Sequence, residues 1–432
     1  MTLSAALLTA FPAVSGGFAS GPKLVGSGAV PLSWQGYAVA LSANGGTAIV
    51  GGTHDGSFDG AVWFFVRNLG VWTQQGGKKV GTGAVGGAQQ GFSVAISGDG
   101  STAILGGPED SSSAGAAWVF IRSLNVWTQQ GAKLVGTGAD GLAGQGHSVA
   151  LSSDGNTALV GGKGDGSSDG AFWIFTRSGG VWTQQGGKLA GAGAVGAAQQ
   201  GSSVALSSDG NTAIIGGPFD GGTVGAAWVF TRSLNVWTQQ GSKLVGTGAV
   251  GSARQGTSVA LSSDGNTALV GGPHDDSSAG AAWVFTRSGS TWTQQGGKLV
   301  GSGATGTALQ GAVSLSGDGD TALVGGNQDN SGFGATWVFT RSGSTWAQAG
   351  GKMVGTGASG VMPAQGYSVS LSADGDTALV GGIGDDSELG AAWIFNRLCL
   401  HGDVNGDGAV DVVDVFYLIN FLFAGGAAPA CF

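Results

Sequence analysis

The stretch from Gln255 to Gly272 decides the fold, and it reads Gln-Gly-Thr-Ser-Val-Ala-Leu-Ser-Ser-Asp-Gly-Asn-Thr-Ala-Leu-Val-Gly-Gly. Two apolar runs flank the pair Asp264-Gly265, which favours a tight hairpin because it tolerates positive φ. A run around Trp283, Ala-Ala-Trp-Val-Phe-Thr-Arg, continues the pattern, and Thr291 opens a further run. The stretch and its continuation therefore predict four antiparallel strands, at 257–262, 267–271, 281–287 and 291–300.

This unit occurs seven times in the chain, and the Gln-Gly that opens it returns every 55 residues. The opening glutamines are Gln35, Gln90, Gln145, Gln200, Gln255, Gln310 and Gln365. The third-strand tryptophans are Trp63, Trp118, Trp173, Trp228, Trp283, Trp337 and Trp393. No repeat carries the 3.6-residue apolar stripe of a helix. Four antiparallel strands at this period are typical of a propeller blade, so the sequence predicts an all-β, seven-bladed β-propeller.

The two ends of the repeat array indicate how the ring closes. The phrase Lys-Leu-Val-Gly first appears at Lys23, before any complete unit, whereas the seventh unit ends after Arg397 without a fourth strand. We expect the segment 18–26 to supply that strand, since this leaves no open sheet edge. The domain assignment is a tail or remnant signal at 1–18, the propeller at 19–397 and a short segment at 398–432.

The sixth repeat is one residue short between Gln310 and Asp318, and a residue is regained before Gln365. A deletion inside a strand would turn its side chains to the other face, whereas a loop tolerates one. From this shortening we expect the Gln310 side chain to point differently from its six counterparts.

Composition excludes several classes of function. The net charge is −9 and the eight arginines are spread along the chain, which argues against nucleic-acid binding because a phosphate backbone requires clustered Lys and Arg. No apolar run reaches the length of about 18 residues that a membrane-spanning helix needs. The apolar N-terminus has no lysine before Lys23, which leaves a cleavable signal, a truncated gene start and a plain tail as alternatives. We expect a monomer.

The repeat pattern of Gln-Gly, the Asp-Gly hairpin and Gly-Ala-Ala-Trp-Val-Phe resembles the bacterial FG-GAP repeat, related to the propeller of integrin α chains. The resemblance covers about residues 19–397. It implies a secreted or cell-surface propeller that acts in binding or adhesion. The hairpins read Ser-Ser-Asp-Gly-Asn-Thr and not Asp-x-Asp-x-Asp-Gly, so the calcium loops of integrin blades are not implied here.

An aspartate follows the second strand of every repeat. Two interpretations compete: a polar rim that binds a glycan, a peptide or a cation, and side chains that bond the backbone of their own turns. The second is favoured because every repeat has the residue. The possible ligand rim comprises Asp55, Asp110, Asp165, Asp220, Asp275, Asp329 and Asp385. Loop residues that differ between repeats are better candidates for specificity: His54, Glu109, Phe219 and His274.

The C-terminal segment carries the sharpest motif, Asp-Val-Asn-Gly-Asp-Gly-Ala-Val-Asp-Val-Val-Asp at 403–414. Its oxygen-bearing positions and central glycine fit the EF-hand-type calcium loop, with Ala409 contributing its carbonyl. An amphipathic helix is predicted after it. The expected Ca²⁺ ligands are Asp403, Asn405, Asp407, Ala409, Asp411 and Asp414.

Residues 400–423 resemble one repeat of a type I dockerin, in which Asp at the twelfth loop position is usual. Dockerins carry two such loops and bind cohesin domains, whereas this chain has one loop. The resemblance implies a cohesin-like protein partner. Cys399 and Cys431 bracket the segment, which fits a disulfide formed in an oxidising compartment; two unpaired thiols are the alternative.

These observations favour a non-enzymatic extracellular binding, adhesion or scaffold protein with a calcium-dependent C-terminal docking element. The four histidines occur at unrelated places, and no Gly-x-Ser-x-Gly elbow or metal-ligand His pair occurs. A glycan-degrading enzyme or carbohydrate-binding module tethered through the dockerin-like segment is the alternative; an enzyme requires two carboxylates across the ring. A structural spacer without a ligand is a third possibility.

Overall fold

The computed structural model describes residues 17–398, 415, 416 and 418–420. The expected Ca²⁺ ligands and the pairing of Cys399 with Cys431 lie outside the described residues. The chain consists of two compact units, the first of residues Ser20–Asn396 and the second of Met1–Ala19 with Arg397–Phe432. Within the second unit, the Leu398 N–H donates to the Gly17 carbonyl (2.7 Å), and residues 415, 416 and 418–420 are helical.

The first unit is a β-propeller of seven four-stranded antiparallel sheets, which we number as blades 1–7 from the repeat of Gln35. The first strands are Gln35–Leu41, Ser93–Ile96, Ser148–Leu151, Ser203–Leu206, Ser258–Leu261, Ala312–Leu315 and Ser368–Leu371. The second strands are Thr47–Gly52, Thr102–Gly107, Thr157–Gly162, Thr212–Gly217, Thr267–Gly272, Thr321–Gly326 and Thr377–Gly382. The third strands are Ala61–Asn68, Ala116–Ser123, Ala171–Ser178, Ala226–Ser233, Ala281–Ser288, Ala335–Ser342 and Ala391–Arg397. The fourth strands are Val71–Gln74, Val126–Gln129, Val181–Gln184, Val236–Gln239, Thr291–Gln294 and Thr345–Gln348, with Phe18–Leu24 in blade 7.

The N-terminal strand closes the ring as the sequence predicted. Phe18–Leu24 lies beside the third strand of blade 7, in the strand order first-second-third-N-terminal. The Lys23 ammonium lies 5.9 Å from the centre of the Trp393 ring, and Leu24 is buried in the core. The third-strand edge of blade 7 is therefore covered by a strand from the other end of the repeat array.

Apolar packing between neighbouring blades forms the core. Trp283 and Phe285 of blade 5 lie on one face of their strand and pack against Ile214 and Val229 of blade 4. All seven third-strand tryptophans are fully buried. Because side chains alternate between the two faces of a strand, each blade must cover both faces with its neighbours, and only a ring satisfies this for every blade.

A four-residue helical turn follows each second strand, which the sequence did not predict. In Asp110–Ser113 the φ angles of Ser111 and Ser112 are +54° and +57°, in the left-handed region that costs a non-glycine residue roughly 1–2 kcal/mol. The Asp110 carbonyl accepts a bond from the Gly115 N–H (2.9 Å) and closes the turn. The turns are Asp55–Phe58, Asp110–Ser113, Asp165–Ser168, Asp220–Thr223, Asp275–Ser278, Asp329–Gly332 and Asp385–Glu388.

The hairpins between first and second strands meet in a closed ring of seven backbone hydrogen bonds. Each N–H donates to the carbonyl of the next blade at 2.8–3.0 Å, and the last blade donates back to the first. The participating residues, in order, are Ala43, Gly98, Ser153, Ser208, Ser263, Gly317 and Ala373. Beside this ring lies a cavity of about 210 Å³ lined by first-strand leucines and an isoleucine.

Candidate functional site

The seven opening glutamines are buried inside the propeller. The Gly246 N–H donates to Gln255 Oε1 (2.5 Å), and Gln255 Nε2 donates to the Gly246 carbonyl (2.9 Å). All seven glutamines make this pair of bonds to the glycine of the preceding Lys-Leu-Val-Gly phrase or its variant. Gln310 makes it too, so the expectation that its side chain points differently is wrong. The missing residue lies in the turn before the first strand, which starts two residues after Gln310 and three after Gln255.

The seven predicted rim aspartates are also buried, each at most 3% exposed. Asp220 shows the common arrangement: the Lys243 ammonium lies 2.5 Å from Oδ2, and the Val195 N–H donates to Oδ1 (2.7 Å). The other six make equivalent contacts: Asp55, Asp110, Asp165, Asp275, Asp329 and Asp385. The carboxylates thus contact residues distant in sequence, and not the backbone of their own turns. Each of these aspartates is buried and paired with a lysine. It therefore joins the segment that carries the lysine to the turn that carries the aspartate.

Residues that repeat in every blade hold the fold, so a specific site must lie where the repeats differ. The second residue after each opening glutamine differs between repeats. It is an aromatic or imidazole ring in four repeats and a hydroxyl residue in two, and in the shortened sixth repeat it is Ala312, which already begins the first strand. The ring and hydroxyl residues are Tyr37, Phe92, His147, Ser202, Thr257 and Tyr367.

These variable residues line a cavity of about 530 Å³, which we call the mouth. Gly311 and Gly366, next to two opening glutamines, line it as well, which places the mouth on the glutamine side of the first strands. Lys163, His274 and Asn327 contribute from the loops after three second strands. The mouth is therefore built from loops of several blades around the propeller axis.

Four rings form a continuous arc on one side of the mouth. Tyr367 and Tyr37 have ring centroids 5.1 Å apart, Tyr37 and Phe92 are 4.8 Å apart, and Phe92 and His147 are 4.8 Å apart. All three pairs are tilted by about 50°. Ser202 and Thr257, from the next two blades, also line the mouth, and the Ser202 carbonyl lies 3.1 Å from His147 Nδ1. The mouth thus combines a row of rings with hydroxyl side chains, the pattern of a small-ligand site.

Burial shifts the pKa values of His147, Lys163 and Tyr37 in the mouth in the direction that favours their neutral forms. Burial, together with the Lys163 charge, lowers the pKa of His147 to about 3, although its bond to the Ser202 carbonyl (3.1 Å) acts in the opposite direction. Burial also lowers the pKa of Lys163, which the Glu109 charge partly opposes. Burial raises the pKa of Tyr37, and the adjacent Tyr367 raises it further. At neutral pH His147 is thus an uncharged imidazole and Tyr37 a protonated hydroxyl.

Replacing His147 with serine should reduce the acid sensitivity of the fold. The folded-state pKa of His147 lies below the value of about 6.5 expected in the unfolded chain, so the unfolded chain binds the extra proton first. Its contribution to stability is complete above pH 6.5 and is lost as the pH falls towards 3, at up to about 1.4 kcal/mol per pH unit. Denaturant unfolding between pH 7 and 4 measures this slope. An identical slope in His147→Ser, which copies Ser202 of blade 4, would contradict it.

A second cavity of about 490 Å³ lies next to the mouth and shares Asn327 and Tyr367 with it. Its wall includes Trp34, whose indole N–H donates to Glu388 Oε2 (3.1 Å). Met362, 56% exposed, also lines it. An extended ligand in the mouth can therefore continue over blades 6 and 7.

The four loop residues proposed for specificity occupy different positions. His274 lines the mouth, and the Arg254 guanidinium lies 3.2 Å from its Nε2. His54 lies against Trp34, with ring centroids 3.6 Å apart. Phe219 lies under the Arg254 guanidinium at 5.0 Å, and Glu109 accepts a bond from the Ser113 hydroxyl (2.5 Å). His274 is therefore a component of the mouth, and His54 contacts a residue of the adjoining cavity.

No protein-family model matches the chain, and neither does any curated protein. Among the residues that the structure describes, no three His, Cys, Asp or Glu side chains group as a metal site would require. Within the same residues, no helix has the length and apolar character needed to cross a bilayer.

Sequence reasoning missed the ring arc because it treated the variable residues one at a time. His147, for example, is one of four histidines at unrelated places, but the other repeats hold Tyr, Phe, Ser, Thr or Ala at its position. Comparing the seven repeats position by position supplies the signal: a position that faces a shared axis and differs between otherwise similar units indicates a site.

Proposed function

We propose that the protein is a non-enzymatic binding module and that a glycan chain occupies the mouth. The observation that carries this proposal is the arc from Tyr367 through Tyr37 and Phe92 to His147, on one side of an otherwise repetitive ring. Sugar rings have apolar faces that pack on aromatic rings, and edges rich in hydroxyl groups that need polar partners. Ser202 and Thr257 line the same mouth, and their hydroxyls, which donate to the Gln199 and Arg254 carbonyls, can accept hydrogen bonds from a sugar.

Replacing Phe92 with serine should weaken glycan binding by about tenfold. An aromatic contact contributes roughly 0.5–1.5 kcal/mol beyond area burial, and Phe92 has a ring on each side, so its loss also disrupts the arc. The serine copies Ser202, which the fold accepts in blade 4. An oligosaccharide array identifies the ligand and calorimetry measures its affinity.

Thr257→Ser is the matched control, since it changes the hydroxyl side of the mouth by one methyl group and should leave affinity within twofold. If no oligosaccharide binds the wild-type protein, or if Phe92→Ser binds as tightly as wild type, the mouth is not a glycan site.

The absence of enzymatic activity is part of the proposal. Catalysis of glycan hydrolysis needs a pair of carboxylates flanking the bond. Each of the seven predicted rim aspartates is paired with a lysine instead, as described for Asp220 and Lys243. Release of reducing sugar from the glycan that binds the mouth would refute this part of the proposal.

We also propose that the C-terminal segment binds Ca²⁺ through the ligands predicted from the sequence, and that the loaded segment docks to a cohesin-like protein outside the cell or at its surface. The alternation of Asp and Asn oxygens around Gly408 supports this. Calorimetric Ca²⁺ titration of the full chain and of Asp407→Ala tests it. A wild-type chain that takes up no Ca²⁺ would remove the docking function and leave the mouth proposal intact.

A further inference from the structure

A hydrogen-bonded relay links the Asp-Gly hairpin to the third-strand arginine in several blades. In blade 3 the Asn156 amide donates to Asp154 Oδ2 (3.1 Å), and Arg177 Nε donates to Asn156 Oδ1 (2.9 Å). Blades 4 and 5 repeat both bonds, with Asn211 and Asn266 as the central residues. A carboxamide therefore fills the space between the carboxylate and the guanidinium.

Blade 2 lacks that carboxamide, because Ser101 stands where the next three blades have asparagine. The Ser101 hydroxyl donates to Asp99 Oδ2 (2.7 Å) and does not reach Arg122. Arg122 donates from its terminal nitrogen to Thr47 Oγ1 (3.3 Å), and no residue in the described part of the chain accepts from its Nε. The guanidinium is nevertheless held in place, 5.6 Å from the Trp127 ring.

The space between Ser101 and Arg122, where blades 3, 4 and 5 have a carboxamide, is a gap. It opens into a groove between blades 1 and 2 with a volume of about 820 Å³. Arg122 and Ser101 line it, together with hydroxyl and amide side chains that include Thr73, Gln75 and Asn125. Partial burial raises the pKa of Asp99, but hydrogen bonds from Ser101 and Ser97 and the Arg122 charge outweigh it and hold the pKa below its usual value. Asp99 therefore stays ionised and fixes the Ser101 hydroxyl.

We propose that this groove binds the acetamido group of an N-acetylated sugar. The amide carbonyl accepts from Arg122 Nε and the amide N–H donates to Ser101 Oγ, so the ligand amide takes the place that the Asn156 carboxamide fills in blade 3. Thr73 and the remaining donor and acceptor capacity of Gln75 and Asn125, whose side chains bond each other at 3.3 Å, provide partners for the sugar hydroxyl groups. An amide suits the gap better than a free carboxylate, because the ionised Asp99 lies behind the serine. The site is separate from the mouth.

Ser101→Asn tests the proposal by filling the gap with the residue of the neighbouring blades. N,N′-diacetylchitobiose is the probe and cellobiose is the control that lacks the acetamido groups. We expect ligand-observed NMR and calorimetry to show binding of the first and not the second, and Ser101→Asn to weaken it at least tenfold. Phe92→Ser should leave this binding unchanged, so failure here is distinguishable from failure of the mouth proposal.

Asn156→Ser is the reciprocal variant, since it opens the same gap between blades 2 and 3. It should create an additional site and raise the stoichiometry of diacetylchitobiose by one relative to the wild-type protein. Equal binding of cellobiose, or unchanged affinity in Ser101→Asn, would overturn the proposal. Binding of an N-acetylglutaminyl amide without binding of the sugar would overturn the assignment to a sugar.

Discussion

Replacing Trp283 with alanine is expected to destabilise the propeller by about 3–5 kcal/mol. The side chain is fully buried between blades 4 and 5, where it packs in one cluster with Ile214 and Leu244. Its indole N–H also donates to the Thr247 carbonyl (2.8 Å), which would lose its partner. A Cβ on Gly246 would lie 2.2 Å from the Trp283 ring, so the surrounding backbone is fitted to this side chain. The free energy of unfolding in denaturant measures the loss.

Trp292→Ala is the control for this prediction, because it removes the same residue type from the fourth strand of the same blade. Trp292 is only partly buried, although its N–H donates to Gln240 Oε1 (3.0 Å) and Arg287 lies 5.4 Å above its ring. We expect it to cost less than half as much as Trp283→Ala. Equal losses at the two positions would mean that packing between blades is not the main source of stability.

A chain that begins at Val25 should lose the closure of the ring. It lacks the fourth strand of blade 7 and the contact between Lys23 and Asp385, whose carboxylate would remain buried without its cation. Removing one partner of a buried ion pair alone costs up to about 3–5 kcal/mol, and the lost strand pairing adds roughly 1 kcal/mol per hydrogen bond. The edge of Ala391–Arg397 becomes an open template for pairing with other chains.

Size-exclusion chromatography with light scattering and thermal unfolding measure this effect. A chain that begins at Gly17 keeps the whole strand and is the control, expected to behave as the full chain does. A chain from Val25 that stays monomeric and as stable as the control would contradict the role of the N-terminal strand.

The propeller and its closure could be predicted from the sequence because they depend on local patterns that repeat. The Asp264-Gly265 turn, the alternation around Trp283 and the unpaired phrase at Lys23 each determine a feature of the backbone. Strand ends were less accurate: the fourth strand of blade 5 was predicted at 291–300 but is Thr291–Gln294, followed by a single bridge at Leu299. The chain bends away after Gln294 because Gly296 takes a φ of +74°.

The roles of the repeated polar residues could not be predicted in the same way. Asp220 and Gln255 contact groups on other segments, and sequence spacing does not show which segment returns to which loop. Asp220 can be buried because its carboxylate is paired with Lys243, which lies 23 residues later in the chain. The mouth was missed for a related reason: Tyr37 and Tyr367 lie at opposite ends of the chain, and only the closed ring brings them to 5.1 Å.

The closed ring of seven backbone hydrogen bonds through Ala43, Gly98 and their five counterparts has a consequence for how the number of repeats in the gene can change. Every unit there offers one donor and one acceptor in the same rotational sense, and no side chain takes part. Unequal recombination that removes or duplicates a whole repeat would thus keep each junction chemically matched. The hydrogen bonding at this end of the axis therefore needs no residue that is specific to one repeat, whereas the pairing of the first strand with the last blade does.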